Sequence, residues 1–301
     1  MNVPVKPDHL SALLRGLAPR VEMSTVLPQK DCAADVHFAA CAVPMLYLHV
    51  ISNGMAQLVR SGAAPATALQ AIAPAFLICR GDQAHNLMPR DGNAQAPLIS
   101  AKVFLEGPVA PLLLAEFVQP RAVPLAAQES LLQQLLALVR SEMREPRCGQ
   151  GTLINHVGDI IFIALLRHLV AHPAEHGGLF KGLADPRIAS ALVAMHDAPQ
   201  NDWTLHSLAQ HAGMSRTAFA VRFRDTMNSP PGKYLNTLRL QIAQRTVQSG
   251  QGLKAAASAS GFSNVSALSR ALSKSRTLSR PQAPGPRPRQ MHEGIAAKNA
   301  F

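Results

Sequence analysis

Histidine and cysteine are the side chains that ligate metals and move protons near neutral pH. The first half of this chain offers histidine in two short stretches, YLHVISNG at 47–54 with His49 and RGDQAHNL at 80–87 with His85. A catalytic metal needs at least three protein ligands, and neither stretch holds a His-x-His pair or a third ligand. Cys32, His37 and Cys41 form a second group, at spacings irregular for structural zinc. These residues predict no metal, no cofactor and no enzyme. His49 is expected to pack among strands and His85 to cap a loop, and the two mark the effector pocket, if there is one. The four cysteines, Cys32, Cys41, Cys79 and Cys148, contain no C-x-x-C pair and read as reduced thiols.

Basic side chains are the second resource, and they are distributed unevenly. Residues 1–182 hold 14 Lys/Arg against 13 Asp/Glu, whereas residues 183–301 hold 15 against 5. No acidic residue lies between Thr226 and His292. A neutral half joined to a strongly cationic one implies a polyanionic partner for the second half, double-stranded DNA above all.

The stretch WTLHSLAQHAGMSRTAFAVRFRD at 203–225 shows how those charges are presented. Thr204 is placed to cap a helix with Leu205, Leu208 and Ala209 inward, and Trp203 to staple onto Leu208. Gly213 then ends that helix, because a left-handed turn is cheap only for glycine. Ser215 caps a second helix whose buried face is Phe219 and Phe223. A small residue, a glycine four later and an apolar residue ten later is the spacing of a helix-turn-helix. The second helix offers Ser215, Arg216, Thr217, Ala220, Val221 and Arg224 to a major groove, its N-terminal residues nearest the base edges.

NSPPGKYLNTLRLQIAQRTVQSG at 228–250 reads as a connecting helix with a stripe of Tyr234, Leu235, Leu238 and Ile242, and with Arg239 available to phosphate. Beyond it, LKAAASASGFSNVSALSRALSKS at 253–275 repeats the Ala-x3-Gly spacing with Ala257 and Gly261. Its second helix would present Ser266, Ser269, Arg270 and Ser273. Small residues at Ala256 and Ser260 predict a thin core there.

These helices need a frame. MLYLHVI (45–51), FLIC (76–79) and LISAKVFLE (98–106) read as strands separated by turn signals such as Ser52-Asn53-Gly54 and Arg90-Asp91-Gly92, giving a small β-sandwich or barrel. From Ala126 the pattern turns helical, first up to Pro146 and then over about 150–171. LINHVGDIIFIALLRHLVA (153–171) carries Asn155, His156, Asp159, Arg167 and His168, so it is expected to be a buried amphipathic helix and not a membrane span. The N-terminus lacks the apolar run of a signal peptide. A further helix is expected over Asp185–His196, and the proline-rich segment 276–301 is expected to be disordered.

On GLADPRIASALVAMHDAP (182–199), WTLHSLAQHAGMSRTAFAVRFRD and PPGKYLNTLRLQIAQ, the second half resembles the DNA-binding domain of the AraC/XylS family of bacterial transcription regulators. YLHVISNG and RGDQAHNL are similar to motifs of the subgroup with an N-terminal cupin-like domain. The resemblance implies an α+β chain in four parts. These are a cupin-like sensory β-barrel or sandwich (1–125), a helical linker and possible dimerisation region (126–182), an all-α domain with two helix-turn-helix motifs (183–275), and a tail (276–301). It further implies a cytoplasmic, homodimeric regulator that binds double-stranded DNA and answers to a small effector, with RNA polymerase as partner if it activates. The chain departs from the family at Ala220 and Val221, where a polar or basic residue is usual. It also departs at Leu268 and Leu272, and at Arg276-Thr277 and Ser279-Arg280-Pro281. Two rival readings are a degenerate regulator that binds DNA without sequence preference or acts through a protein partner, and a metal-dependent cupin enzyme.

Overall fold

The computed structural model describes residues 8–26, 35–62, 67–90, 98–125, 130–173 and 177–278. Helix α1 (His9–Leu17), capped by the Asp8 carboxylate on Ser11 N at 3.0 Å, precedes β1 (Pro19–Val26). The strands β2 (Val36–Phe38), β3 (Met45–Ile51), β4 (Met55–Arg60), β5 (Leu69–Ile72), β6 (Ala75–Arg80), β7 (His85–Arg90) and β8 (Leu98–Leu105) follow. A short helix α2 (Ala110–Leu114) and a 3-10 turn at Ala115–Phe117 lead into β9 (Arg121–Pro124). The strands form two antiparallel sheets, ordered β1-β8-β3-β6-β9 and β2-β7-β4-β5. The expected strands at 45–51, 76–79 and 98–106 are present, whereas α1 had no signal in the strand-like pattern around it.

Every residue of β3 is buried, because the five-stranded sheet is covered on both faces. Met45, Tyr47 and Ile51, with Leu77 and Cys79 of β6, point to the four-stranded sheet and pack with Leu87 of its β7. Leu46, Leu48 and Val50 point the other way, into a core shared with the helices. That alternation follows from the two-residue period of a strand.

The long helices are α3 (Ser130–Arg144) and α4 (Gln150–Ala171). By length and composition alone α4 could cross a membrane. In the fold it buries Val157, Ile161, Phe162, Leu165, Leu166 and Leu169. Its polar residues complete the edge of the sheet: Asn155 Oδ1 accepts from Met23 N at 2.9 Å and Asp159 Oδ1 from Val21 N at 3.2 Å. Gly158 permits this approach, since a Cβ there would lie 2.7 Å from the Val21 side chain. An edge strand left open would pair with another chain, and α4 closes this one.

The second half contains α5 (Leu179–Ala184), α6 (Pro186–Asp197), α7 (Leu205–His211), α8 (Arg216–Met227), α9 (Pro231–Gln248), α10 (Leu253–Ser260) and α11 (Val265–Leu278). Helix α5 straddles the boundary expected at residue 182. Residues 276–278 belong to α11 and not to a tail, while 279–301 lie outside the described residues. So do Cys32, Asp91 and Gly92. One hydrophobic core runs from the five-stranded sheet through α3 and α4 into α5–α9. The second motif has its own small core of Ala243, Ala256, Ala257 and Leu268, flanked by Val247, Phe262 and Leu272.

Candidate nucleic-acid interface and a buried histidine–cysteine cluster

The first turn is built as its residues require. Thr204 and Ser207 form a reciprocal capping box at the start of α7. Gly213 sits at φ +60°, with Met214 N donating to Ala209 O at 2.9 Å and Gly213 N to Gln210 O at 3.0 Å, the paired bonds of a Schellman turn. Ser215 Oγ then accepts from Ala218 N at 3.3 Å, and Phe219 and Phe223 pack tilted to one another in the core, ring centroids 5.5 Å apart. One detail differs from expectation. Leu205 is exposed, and Ala212 fills the inward place instead. Trp203 meets the edge of His211 at 5.0 Å and donates from Nε1 to Ala198 O at 2.7 Å.

The second turn repeats these bonds one for one. Gly261 sits at φ +73°, Phe262 N donates to Ala257 O at 3.0 Å, and Gly261 N donates to Ser258 O at 3.3 Å. Asn264 Oδ1 caps α11 through Ala267 N at 2.7 Å. Between the two turns stands α9, 18 residues long or roughly 27 Å at ~1.5 Å per residue.

Of the expected DNA-facing residues, Ser215, Arg216, Thr217, Val221 and Arg224 are exposed along α8, and Ala220 is half-buried. Thr217 and Val221 line an open cleft of about 1030 Å³ that also takes in Lys181, Met214 and Arg222. Ser266, Arg270 and Ser273 are exposed on α11 and Ser269 is half-buried. Arg239 is not available to phosphate as expected. Its Nε donates to Pro199 O at 2.8 Å and its guanidinium also reaches Asn201 O at 2.6 Å, so it clamps the turn after α6. Arg222, which the sequence did not single out, pairs with Asp185, the cap of α6. Beneath this surface His196 Nε2 and the Tyr234 hydroxyl share a 2.7 Å bond. Burial holds His196 down at about 4, opposed by Asp197, and pushes Tyr234 up.

In the β-domain, His49 and His85 meet. Their Nε2 atoms are 2.9 Å apart, and neither residue is exposed. His85 is the first residue of β7 and lies between the sheets, where its Nδ1 also holds the carbonyl of Gln83 in the preceding turn. Contrary to expectation, a third ligand-type side chain joins them. Cys79 Sγ on β6 lies 3.4 Å from His85 Nε2. Nothing local marks it, because FLIC reads as plain strand, and only the β3–β6 register, Tyr47 opposite Cys79, brings the thiol beside the rings. Ser100, opposite His49 on β8, places its Oγ 2.9 Å from His49 Nδ1. His85 Nδ1 donates to Gln83 O at 3.1 Å, and Phe38 stacks on the His85 ring at 5.1 Å. Desolvation, with some repulsion from His85, holds His49 well below the ordinary histidine range. Burial also lowers His85 and pushes the Cys79 thiol up. His37 faces the other way, Nδ1 on Asn86 Oδ1 at 2.8 Å, which removes it from this cluster.

Residues 8–171 match the cupin family, more than half of the chain, and residues 208–279 match a helix-turn-helix domain. The chain belongs to the cupin family over its first half and joins to it an AraC-type helix-turn-helix domain. A putative AraC-like transcription regulator of Streptomyces antibioticus is 34% identical over 140 residues, 46% of each chain. The regulator AlkR of Acinetobacter baylyi is 29% identical over 140 residues, again 46% of each. The chain thus spans about half the length of the curated relatives it matches. Fatty-acid-bound ToxT from Vibrio cholerae aligns at 12% identity over 85% of this chain and 91% of that one, with a TM-score of 0.36. In this cupin-family chain, the two Schellman turns stand at Gly213 and Gly261, and the paired histidines at 49 and 85.

Proposed function

We propose that this chain is a sequence-specific DNA-binding transcription regulator of the AraC/XylS family, not an enzyme, that acts in the cytoplasm as a homodimer and is modulated through its cupin domain. The observation that carries the reading is the bond-for-bond repetition of the turn at Gly213 and Gly261 on either end of α9. The two units are joined by α9, about 27 Å long, and would set their second helices in successive major grooves, separated by about 34 Å. Arg216 and Arg224 on α8 and Arg270 on α11 would supply phosphate contacts and salt-dependent affinity. Ser215, Thr217, Ala220 and Val221, with Ser266, Ser269 and Ser273, would lie towards base edges. RNA polymerase is the further partner if the regulator activates.

The cupin domain is suited to modulate this surface because its sheet shares one core with α4–α9. On the helix side of that sheet, Leu46, Leu48, Phe162 and Leu165 line an apolar void of only about 10 Å³, so an organic effector would have to open it. The small second core supports a narrower reading, in which only α8 reads bases. Selection of bound duplexes from a random library with the full chain decides between them. A bipartite motif with halves about one helical turn apart is expected. A single half-site would favour the narrower reading, and salt-sensitive binding without enrichment would overturn sequence specificity.

A further inference from the structure

We propose that His49, Cys79 and His85 form a binding site for a borderline-soft divalent cation of the zinc class, which bolts the two sheets of the cupin domain together. The inference is independent of DNA recognition. His49 and Cys79 stand on adjacent strands of the five-stranded sheet and His85 on the facing sheet, all three buried. Their ligand atoms lie within 4.8 Å of one another.

The geometry is close to a tetrahedral His2Cys set. With metal–nitrogen bonds of about 2.0 Å and metal–sulfur of about 2.3 Å, such a set places its nitrogens ~3.3 Å apart and nitrogen from sulfur ~3.5 Å apart. The observed separations are 2.9 Å between the two Nε2 atoms and 3.4 Å from Cys79 Sγ to His85 Nε2. Opening the histidine pair by a few tenths of an ångström brings it to the tetrahedral value, and the remaining separation, His49 to Cys79, lies within 4.8 Å.

The outer nitrogens argue the same way. A carbonyl only accepts, so the bond to Gln83 O places the proton of neutral His85 on Nδ1 and leaves a lone pair on Nε2, aimed into the cluster. Ser100 Oγ holds Nδ1 of His49. Each histidine therefore has the oriented outer partner that metal-bound histidines require. A thiol in place of a carboxylate, with two imidazoles, favours a zinc-class ion over magnesium or calcium. On binding, the Cys79 S–H bond breaks, a sulfur–metal bond forms and the proton leaves to solvent.

Anaerobic titration of the reduced full chain with Co2+ tests the site. One equivalent is expected to give tetrahedral visible bands and a near-ultraviolet thiolate-to-cobalt band, both bleached by Zn2+. A Cys32→Ser/Cys41→Ser/Cys148→Ser variant should keep the thiolate band and Cys79→Ser should lose it. His49→Gln and His85→Gln should each weaken Co2+ binding at least tenfold, with circular dichroism checking the fold of each. Should Cys79→Ser fail to fold, the triple-cysteine variant, which retains only Cys79, decides alone. Absence of the band in that variant, or its survival in folded Cys79→Ser, would overturn the proposal. The readout is spectral, so a chain that reads no DNA still answers it.

Discussion

At the scale of the residue, the two turn glycines look equivalent and are not. Both adopt a left-handed conformation, which costs a residue with a Cβ roughly 1–2 kcal/mol. A Cβ on Gly213 would meet nothing within 4 Å, whereas one on Gly261 would fall 2.6 Å from the Gln200 backbone. Gly213→Ala should therefore lose about 1 kcal/mol of stability. Gly261→Ala should lose clearly more and disturb the turn at Pro199–Gln200; urea melts of the two variants compare them. Buried His196 makes a second prediction. Its folded value of about 4 lies below the ordinary 6.5, so the stability it contributes is complete above pH 6.5 and is lost as pH falls toward 4. Between pH 7.5 and 5 the loss from this residue is about 2 kcal/mol. His49 and His85 act in the same direction, because burial lowers both. A His196→Gln variant should show a flatter stability–pH slope, and an unchanged slope would mean that His196 is not the group titrating.

At the scale of the element, the two helix-turn-helix units share a design and differ in what holds them. The first is fixed by Phe219, Phe223, Leu208 and Tyr234 within the main core. The second rests on Leu268 against three alanines, with Phe262, Val247 and Leu272 around them. Leu268→Ala removes the largest fully buried side chain of that cluster, a change that costs about 2–5 kcal/mol in a typical core. Hydrogen exchange should then show α10 and α11 open while α7–α9 keep their protection. Equal loss in both units would mean that they fold as one. Helix α4 illustrates another element-level point. Its apolar composition would serve a membrane, but Asn155 and Asp159 are spent on the free N–H groups of β1.

At the scale of the whole molecule, the cupin and DNA-binding halves are joined by more than a linker. The Glu116 carboxylate, pushed up by burial, accepts from Leu179 N at 2.6 Å and so ties the turn before β9 to the start of α5. Phe117 packs edge-on to Phe180 at 6.1 Å beside it. On the other side α1 meets α6, with Arg15 and Asp197 paired at 3.1 Å. The ion pair is exposed and contributes little; the continuous apolar core is the stronger connection. Scanning calorimetry of the full chain should therefore show one transition for residues 8–248, followed or preceded only by a small one for the second unit. Two well-separated large transitions would show that the halves fold independently.

The sequence by itself determined what depends on local chemistry. Thr204, Gly213 and Ser215 each impose a backbone conformation through neighbours a few residues away, and the charge split between the halves is a property of composition. The main strands were equally legible, because apolar runs bounded by turn residues need no distant partner to be recognised. The tertiary structure decided what depends on register and distance. Arg239 reads as a free cation until the backbone of Pro199 and Asn201 is seen to bind it. Helix α1 sits among strand signals, and its buried face has meaning only against α6 and the sheet. Cys79 is an ordinary strand residue until β3 pairs with β6 and β7 folds over them. Strand registry and the facing of two sheets are set by the summed burial of many side chains, which no short stretch encodes alone.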